Sequence, residues 1–329
     1  VSFLNQFLMN KNNQIYGVDI SKGVFDVVNS TGEHFQFKNN VSGFKSFLKI
    51  LIKEDLVVME ATGYYHYRLA QFLYEKGIKV SVVNPLSVKR FIQMKLSKIK
   101  TDKSDAKAIC EYASTNEVPL YTARDKSQAE ALQILRLIAI YTKQSTALKN
   151  KLHGEKVLGK PSKVVYHSLN RSLKVLQNEI KTLESRLTEI VKDDQQKQLT
   201  LLKSIPGLGN KTAIMLIVLT HGFTSFEDAS QLCCYAGITP TIRASGSSVR
   251  GKSRISKIGN PKLRNLLFMC SFTACKHNKA CRDIYERIIA KGKSKKLALI
   301  AVCNKLLKQA FAVATSGLPY DENYASRLG

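Results

Sequence analysis

Residues 14–38 read QIYGVDISKGVFDVVNSTGEHFQFK. Apolar and polar positions alternate along this run, with turn signals at Ser21-Lys22-Gly23 and Ser30-Thr31-Gly32. A period of two between turn residues predicts three consecutive antiparallel strands. One residue breaks the pattern: Asp19 sits among Ile15, Val18 and Ile20. Outward from there, SGFKSFLKILIK (42–53) predicts a helix, and DLVVME (55–60) a short strand that ends in Glu60. YYHYRLAQFLYEKG (64–77) predicts a helix closed by Gly77, and IKVSVVNP (78–85) a strand stopped by Pro85. A meander followed by β-α-β-α implies an α/β domain with a mixed sheet, assigned to residues 1–125.

The pattern changes after that. Ile134, Ile138, Tyr141, Ser145, Leu148 and Leu152 recur at alternating spacings of four and three. Beyond HGEKVLGKPS (153–162), Leu169, Leu173, Leu176, Ile180, Leu183, Leu187 and Ile190 do the same. These are heptad seams, and they predict two long helices over 126–200 that pair with each other or with a second copy of the chain. From 201 to 317 the sequence predicts a mainly α-helical domain, and 318–329 a polar tail. Within it, LLKSIPGLGNKTAIMLIVLT (201–220) reads as helix, tight turn, helix. Gly207 and Gly209 would let the backbone approach a phosphate at a helix N-terminus, with Lys211 beside it, as in a helix-hairpin-helix DNA-backbone binder. The alternative is a turn that simply joins two helices. The spacing fails the G-x-x-x-x-G-K-[ST] pattern of a P-loop.

Lys and Arg number 51 against 25 Asp and Glu, a net charge of +26. An excess of that size attracts polyanions and makes nucleic acid the leading partner. The seven cysteines form no CxxC pair. Cys270, Cys275, His277 and Cys281 have the spacing of no common zinc finger and are expected to be buried thiols. No run reaches about 18 apolar residues, and the apolar start is too short for a signal peptide, so no membrane span is expected.

Four acids and one loop carry the chemistry. Asp102 and Asp105 lie three apart in KTDKSDAKAICEYA (100–113), on one face of a helix start. Strands one and four could be sheet neighbours, which would bring Asp19 and Glu60 together. Singly, each acid suits a solvent-facing or helix-capping role. Together, four carboxylates repel unless cations neutralise them. Two divalent ions about 3.5–4 Å apart would do so and polarise a phosphodiester. Lys89, Arg90, Lys100 and Lys103 surround these acids in sequence. ASGSSVRGKSRISKIGN (244–260) holds five serines and four basic residues with no acid. Arg243, Arg250, Lys252, Arg254 and Lys257 can grip phosphate. The loop itself reads as a phosphate clamp, a tether, or the carrier of a nucleophilic serine.

The motifs GVDISKGVFDVV, MEATGYY and NPLSVKRF…KTDKSDAKAICEYA, in that order, resemble those of the RNase H-like fold of RuvC type. More closely, the chain resembles the DEDD transposases of insertion-sequence family one-ten. LLKSIPGLGNKTA, YAGITP and ASGSSVRGKSRISKIGNPKLRNLL match that family's C-terminal transposase domain, and the resemblance spans roughly 14–315. It implies that Asp19, Glu60, Asp102 and Asp105 are catalytic metal ligands for Mg²⁺, two ions in number, with Mn²⁺ able to substitute. It implies a serine nucleophile that forms a transient phosphoserine link to DNA. By position this is Ser245, with Ser247 and Ser248 as runners-up. It further implies donor and target DNA as partners, a guide noncoding RNA, a homo-oligomer (dimer or tetramer) whose halves meet across protomers, and a place on the nucleoid in the bacterial cytoplasm. The competing readings are a junction-resolving endonuclease that uses water, and a non-catalytic basic nucleic-acid-binding protein.

Overall fold

The computed structural model describes residues 13–61, 63–96, 101–123, 125–159, 161–241, 244–245, 249–250 and 254–323. The chain forms two compact units, Val1–Arg124 and Asp125–Gly329. The helices over 126–200, set apart in the sequence, therefore fall within the second.

In the first unit the three opening strands are β1 (Ile15–Ile20), β2 (Val24–Asn29) and β3 (His34–Lys38). They pair antiparallel as the alternation predicts. Helix α1 (Val41–Leu48) starts on the Asn40 cap, whose side chain accepts from the Gly43 N–H. It stops five residues short of the predicted end. The buried Asp55 accepts from the N–H groups of Ile52 and Gln14, so the chain is turned and tied to the start of β1. β4 (Leu56–Glu60) and β5 (Lys79–Val83) follow, separated by α2 (Tyr65–Glu75). Both pair in parallel, giving the order β3-β2-β1-β4-β5. Pro85 ends β5 and opens α3 (Pro85–Met94) at its first turn, where a missing N–H costs nothing. Helix α4 (Asp102–Thr115) begins with a reciprocal capping box between Thr101 and Ser104.

The sheet is covered on both faces. Tyr16, Val18, Phe25, Val27, Val57 and Met59 pack with Phe44, Phe47 and Leu69 from α1 and α2. Ile15, Val58 and Val83 pack with Val88, Ile109 and Cys110 from α3 and α4. Between Ile15 and Asp19 on this second face stands Gly17. A Cβ there would lie 2.3 Å from Ala106 O and from Cys110 N. The backbone of α4 thus rests directly on β1, and the Cys110 thiol donates to Ile15 O at 3.3 Å.

The second unit is built on two long helices, α5 (Lys126–Val157) and α6 (Lys163–Lys203), which pack against each other. Seam residues Leu173, Leu187 and Ile190 are buried, and Ile180 and Leu183 pack on the same core. α6 bends at Gln195, where the backbone leaves the helical region. Helices α7 (Asn210–Thr220), α8 (Ala229–Ala236), α9 (Pro261–His277), α10 (Lys279–Ala290) and α11 (Lys295–Ser316) complete the unit. By length and composition α11 is apolar enough to cross a membrane, contrary to the expectation that no segment would be. Its Val302, Leu306, Leu307 and Ala310 are fully enclosed in the unit's core, which accounts for that composition. Cys281 is buried as expected, whereas Cys270 and Cys275 are only half-buried; Cys303 is buried as well. Burial pushes the thiols of Cys281 and Cys303 up to about 12, so both stay protonated at neutral pH.

The contact at Gly17 generates a prediction. Gly17→Ala should destabilise the first unit by roughly 1–3 kcal/mol, because rigid backbone has to move. Hydrogen exchange on the intact chain should show faster exchange of the α4 amides. Unchanged protection of α4 would contradict the close packing described.

Candidate active site

The sheet register places the acids. Asp19 lies opposite Asp26, and Asp26 lies opposite Gln36. One step beyond the Val18–Met59 pair of β1 and β4 stand Asp19 and Glu60. Gln36, Asp26, Asp19 and Glu60 thus form a row across four strands on the α4 face. The first turn of α4 brings Asp102 and Asp105 to the same end of β1. The evidence for proximity is electrostatic. Burial, then Asp105, Asp102, Glu60 and Asp26 in that order, pushes the half-buried Asp19 carboxyl up to about 6. A shift of that kind needs desolvation together with like charges nearby.

Asp26 was not picked out in the sequence. In VFDVV it looks like an ordinary outward-facing polar residue of an alternating strand. It is buried, because both faces of this sheet carry helices. His34 Nε2 donates to Asp26 Oδ1 at 2.7 Å, and Gln36 Nε2 donates at 3.2 Å. Its oxygens are therefore taken up by β3, whereas Asp19 faces other carboxylates.

Carboxylate oxygens are the hard donors that Mg²⁺ and similar ions select. As the side chains stand, no three His, Cys, Asp or Glu groups among the described residues converge tightly enough to hold one ion. Mutual repulsion opposes that convergence, and a divalent cation would remove the repulsion. The donor chemistry and the raised Asp19 pKa fit a metal site that closes on its ion.

Of the basic residues expected around the acids, Lys89, Arg90 and Lys103 are exposed and Lys100 lies outside the described residues. Lys95 and Lys107 both pair with Glu111.

In the second unit the described parts of the serine-rich run form short antiparallel ladders, a small β-hairpin. β6 (Pro240–Thr241) pairs with β9 (Arg254–Ile255), and β7 (Ala244–Ser245) pairs with β8 (Val249–Arg250). Ser245 is opposite Val249, and Ala244 opposite Arg250. Arg243, Ser247, Ser248 and Lys252 lie outside the described residues, while Arg254 and Lys257 are exposed. The Pro206-Gly207 turn also has a packing role. Gly207, at φ +98°, has Ala274 of α9 where a Cβ would project, at 2.7 Å. Gly209 caps α7 and is open on its Cβ side, and Lys211 forms an ion pair with Glu184 of α6.

A mixed sheet that gathers carboxylates under a helix start, in a chain with a helical C-terminal half, fits an RNase H-like DEDD domain and points to divalent-metal dependence generally. Residues 16–158 match the DEDD transposase family of IS110 type, and 199–286 match the transposase IS116/IS110/IS902 family. The pilin gene-inverting protein of Moraxella bovis is 28% identical over 319 residues, covering 93% of this chain and 97% of its own. The transposase for insertion sequence element IS1111A of Coxiella burnetii is 25% identical, covering 93% and 90%. The chain belongs to the DEDD transposases of the IS110 family, and it is a DNA transposase/recombinase.

The crowding of Asp19 predicts a pH signature in the metal-free protein. Asp19 has a higher pKa folded than unfolded, so its ionisation works against folding. The stability present at pH 4 is lost as pH rises toward about 6. Asp19→Asn should therefore melt higher than the parent at pH 8, by a margin that shrinks toward pH 4. At pH 8, Mg²⁺ should raise the melting temperature of the parent and not of the variant. A margin independent of pH, or equal stabilisation of both by Mg²⁺, would contradict the site.

Proposed function

We propose that this recombinase cuts and rejoins DNA strands through a serine ester, with Ser245 as nucleophile and Asp19, Glu60, Asp102 and Asp105 as metal ligands. The observation that carries the proposal is the row of carboxylates under α4, in a chain whose second unit carries Ser245 on β7, paired with Val249 of β8. Two Mg²⁺ ions, or Mn²⁺, held by the four acids would polarise the scissile phosphodiester and neutralise the charge it develops.

A serine hydroxyl is a weak nucleophile until its proton is removed. Residues 243–257 include no histidine or carboxylate to take that proton, and Arg243, Arg250, Lys252, Arg254 and Lys257 can hold phosphate oxygens. The acids are the chain's remaining source of activation, so the reaction requires both units. Ser245 Oγ attacks phosphorus, a P–O bond to serine forms, and one DNA oxygen leaves as a hydroxyl. A hydroxyl of a second DNA end then attacks the phosphoserine, which restores serine and joins the strands. Conserving the phosphodiester in this way allows rejoining without an outside energy source. A relative named for inverting a pilin gene fits such cut-and-rejoin chemistry.

Lys89, Arg90, Lys100 and Lys103 on the first unit, and Gly209 and Lys211 on the second, serve in this reading as backbone contacts to donor and target DNA. The net charge of +26 is compatible with a second nucleic acid beside DNA, a guide noncoding RNA of the element. The family resemblance supports a homodimer or tetramer acting on the nucleoid in the bacterial cytoplasm, while the heptad seams themselves are used between α5 and α6 within one chain.

Ser245→Ala should lower strand exchange by at least 10³-fold in an assay with donor DNA, target DNA, guide RNA and Mg²⁺, a drop of about 4 kcal/mol in transition-state stabilisation. Ser247→Ala and Ser248→Ala should retain exchange. Undiminished exchange by Ser245→Ala would remove the nucleophile assignment, and cleavage with no covalent adduct would favour water.

A further inference from the structure

Helix α11 is apolar on two sides, and only one of them faces the core. The other side, carrying Leu297, Ile300 and Ala301, forms the floor of a groove of about 1230 Å³ walled by α10, α8 and the β6–β9 ladder. Ile284 and Ile288 of α10 lie one helical turn apart and extend this floor. Leu297 is 46% exposed. An apolar trough left open to water is a standing liability unless something occupies it.

The rim identifies the occupant. Arg254, Lys257, Arg287, Lys296, Lys305 and Lys308 line the groove, and no Asp or Glu does. Among the described residues none of these six is in an ion pair. Six uncompensated cations call for a polyanion. The volume exceeds the roughly 300–1,000 Å³ of small-molecule pockets, which favours a polymer segment. The polymer must also offer apolar surface. Duplex DNA turns phosphates outward and keeps its bases stacked inside, so it could use the rim but not the floor. An unpaired strand can lay bases on aliphatic side chains while its phosphates meet the rim.

We infer that this groove binds a single DNA strand released from its duplex, with phosphates on the six cations and bases against Ile284, Ile288, Leu297 and Ile300. DNA is the source because a DNA recombinase must separate strands to exchange them; the inference rests on that class and not on the serine assignment. Arg254 and Ile255 of β9 line this groove from the ladder they form with Thr241 and Pro240 of β6.

Fluorescence anisotropy on the full-length protein tests this with three labelled probes: a single-stranded DNA oligonucleotide, its blunt duplex, and an RNA oligonucleotide of the same sequence. Arg287→Ala with Lys308→Ala should lower the salt slope for single-stranded DNA by about 1.4, at ~0.7 per lost phosphate contact. Leu297→Ser should weaken single-stranded DNA binding without changing that slope. Duplex binding should be unaffected by either, and Lys279→Ala with Lys291→Ala should change none of these values. An unchanged slope, an equal loss on the duplex, or a dependence seen only with RNA would overturn the assignment. Abolished strand exchange in Ser245→Ala with single-strand binding intact is expected, which separates this groove from the catalytic proposal.

Discussion

The first unit depends on one contact, the backbone of α4 lying on β1 at Gly17. Without a Cβ at that position, Ala106 O and Cys110 N can approach the strand to a distance no side chain would permit. The capping box at Thr101 and Ser104 fixes where α4 begins. Together these set both the depth and the start of the helix, and so bring Asp102 and Asp105 over Asp19. The arrangement is costly for folding. The Asp19 carboxyl is half-buried with other carboxylates nearby, and it is pushed up to about 6 as a result. A cluster stabilised for its own sake would pair with lysine or be replaced by neutral side chains. Strain of this kind concentrates where charge is to be met by a ligand.

The same unit separates two kinds of buried acid. Asp26 sits in the row beside Asp19, yet His34 and Gln36 take its hydrogen bonds. Asp55 is occupied by two backbone N–H groups. Both carboxylates have structural partners in the sheet or its turns. Asp19 instead faces charges of its own sign, and that difference distinguishes a metal-ligand candidate from a fold-stabilising acid. The second unit solves a different problem. It surrounds α11 with helices on one side and leaves an aliphatic, cation-rimmed surface on the other. Its hairpin pairs Ser245 with Val249.

Much of this was legible in the sequence. Alternation with two Gly-containing turns gave the meander, and Asp19 stood out because it interrupts that alternation. Heptad spacing gave the long helices, although spacing alone could not tell an intrachain partner from a second copy; in the structure α6 packs on α5. Asp26 escaped notice because an acid at a polar-phase position draws no attention, and only the helix covering that face makes it buried. The hairpin was hidden because two-residue ladders in a Ser/Gly/Arg-rich run leave no periodic signal. The groove on α11 was hidden because a doubly apolar helix has the same composition whether its second side meets protein, lipid or a ligand. Gly207 shows the reverse case. Its turn suggested phosphate approach, and the structure gives it a close contact with Ala274.

The central claim is that acids on the first unit and a serine on the second serve one covalent reaction. Mass spectrometry tests it most directly. The full chain is mixed with donor DNA, target DNA, guide RNA and Mg²⁺, quenched in denaturant, and digested with protease and nuclease. A peptide containing Ser245 is expected to carry a nucleotide phosphate on its hydroxyl, and to be absent when Asp19 is replaced by Asn. Cleaved or exchanged DNA with no such peptide, or the adduct mapped to a different residue, would contradict it.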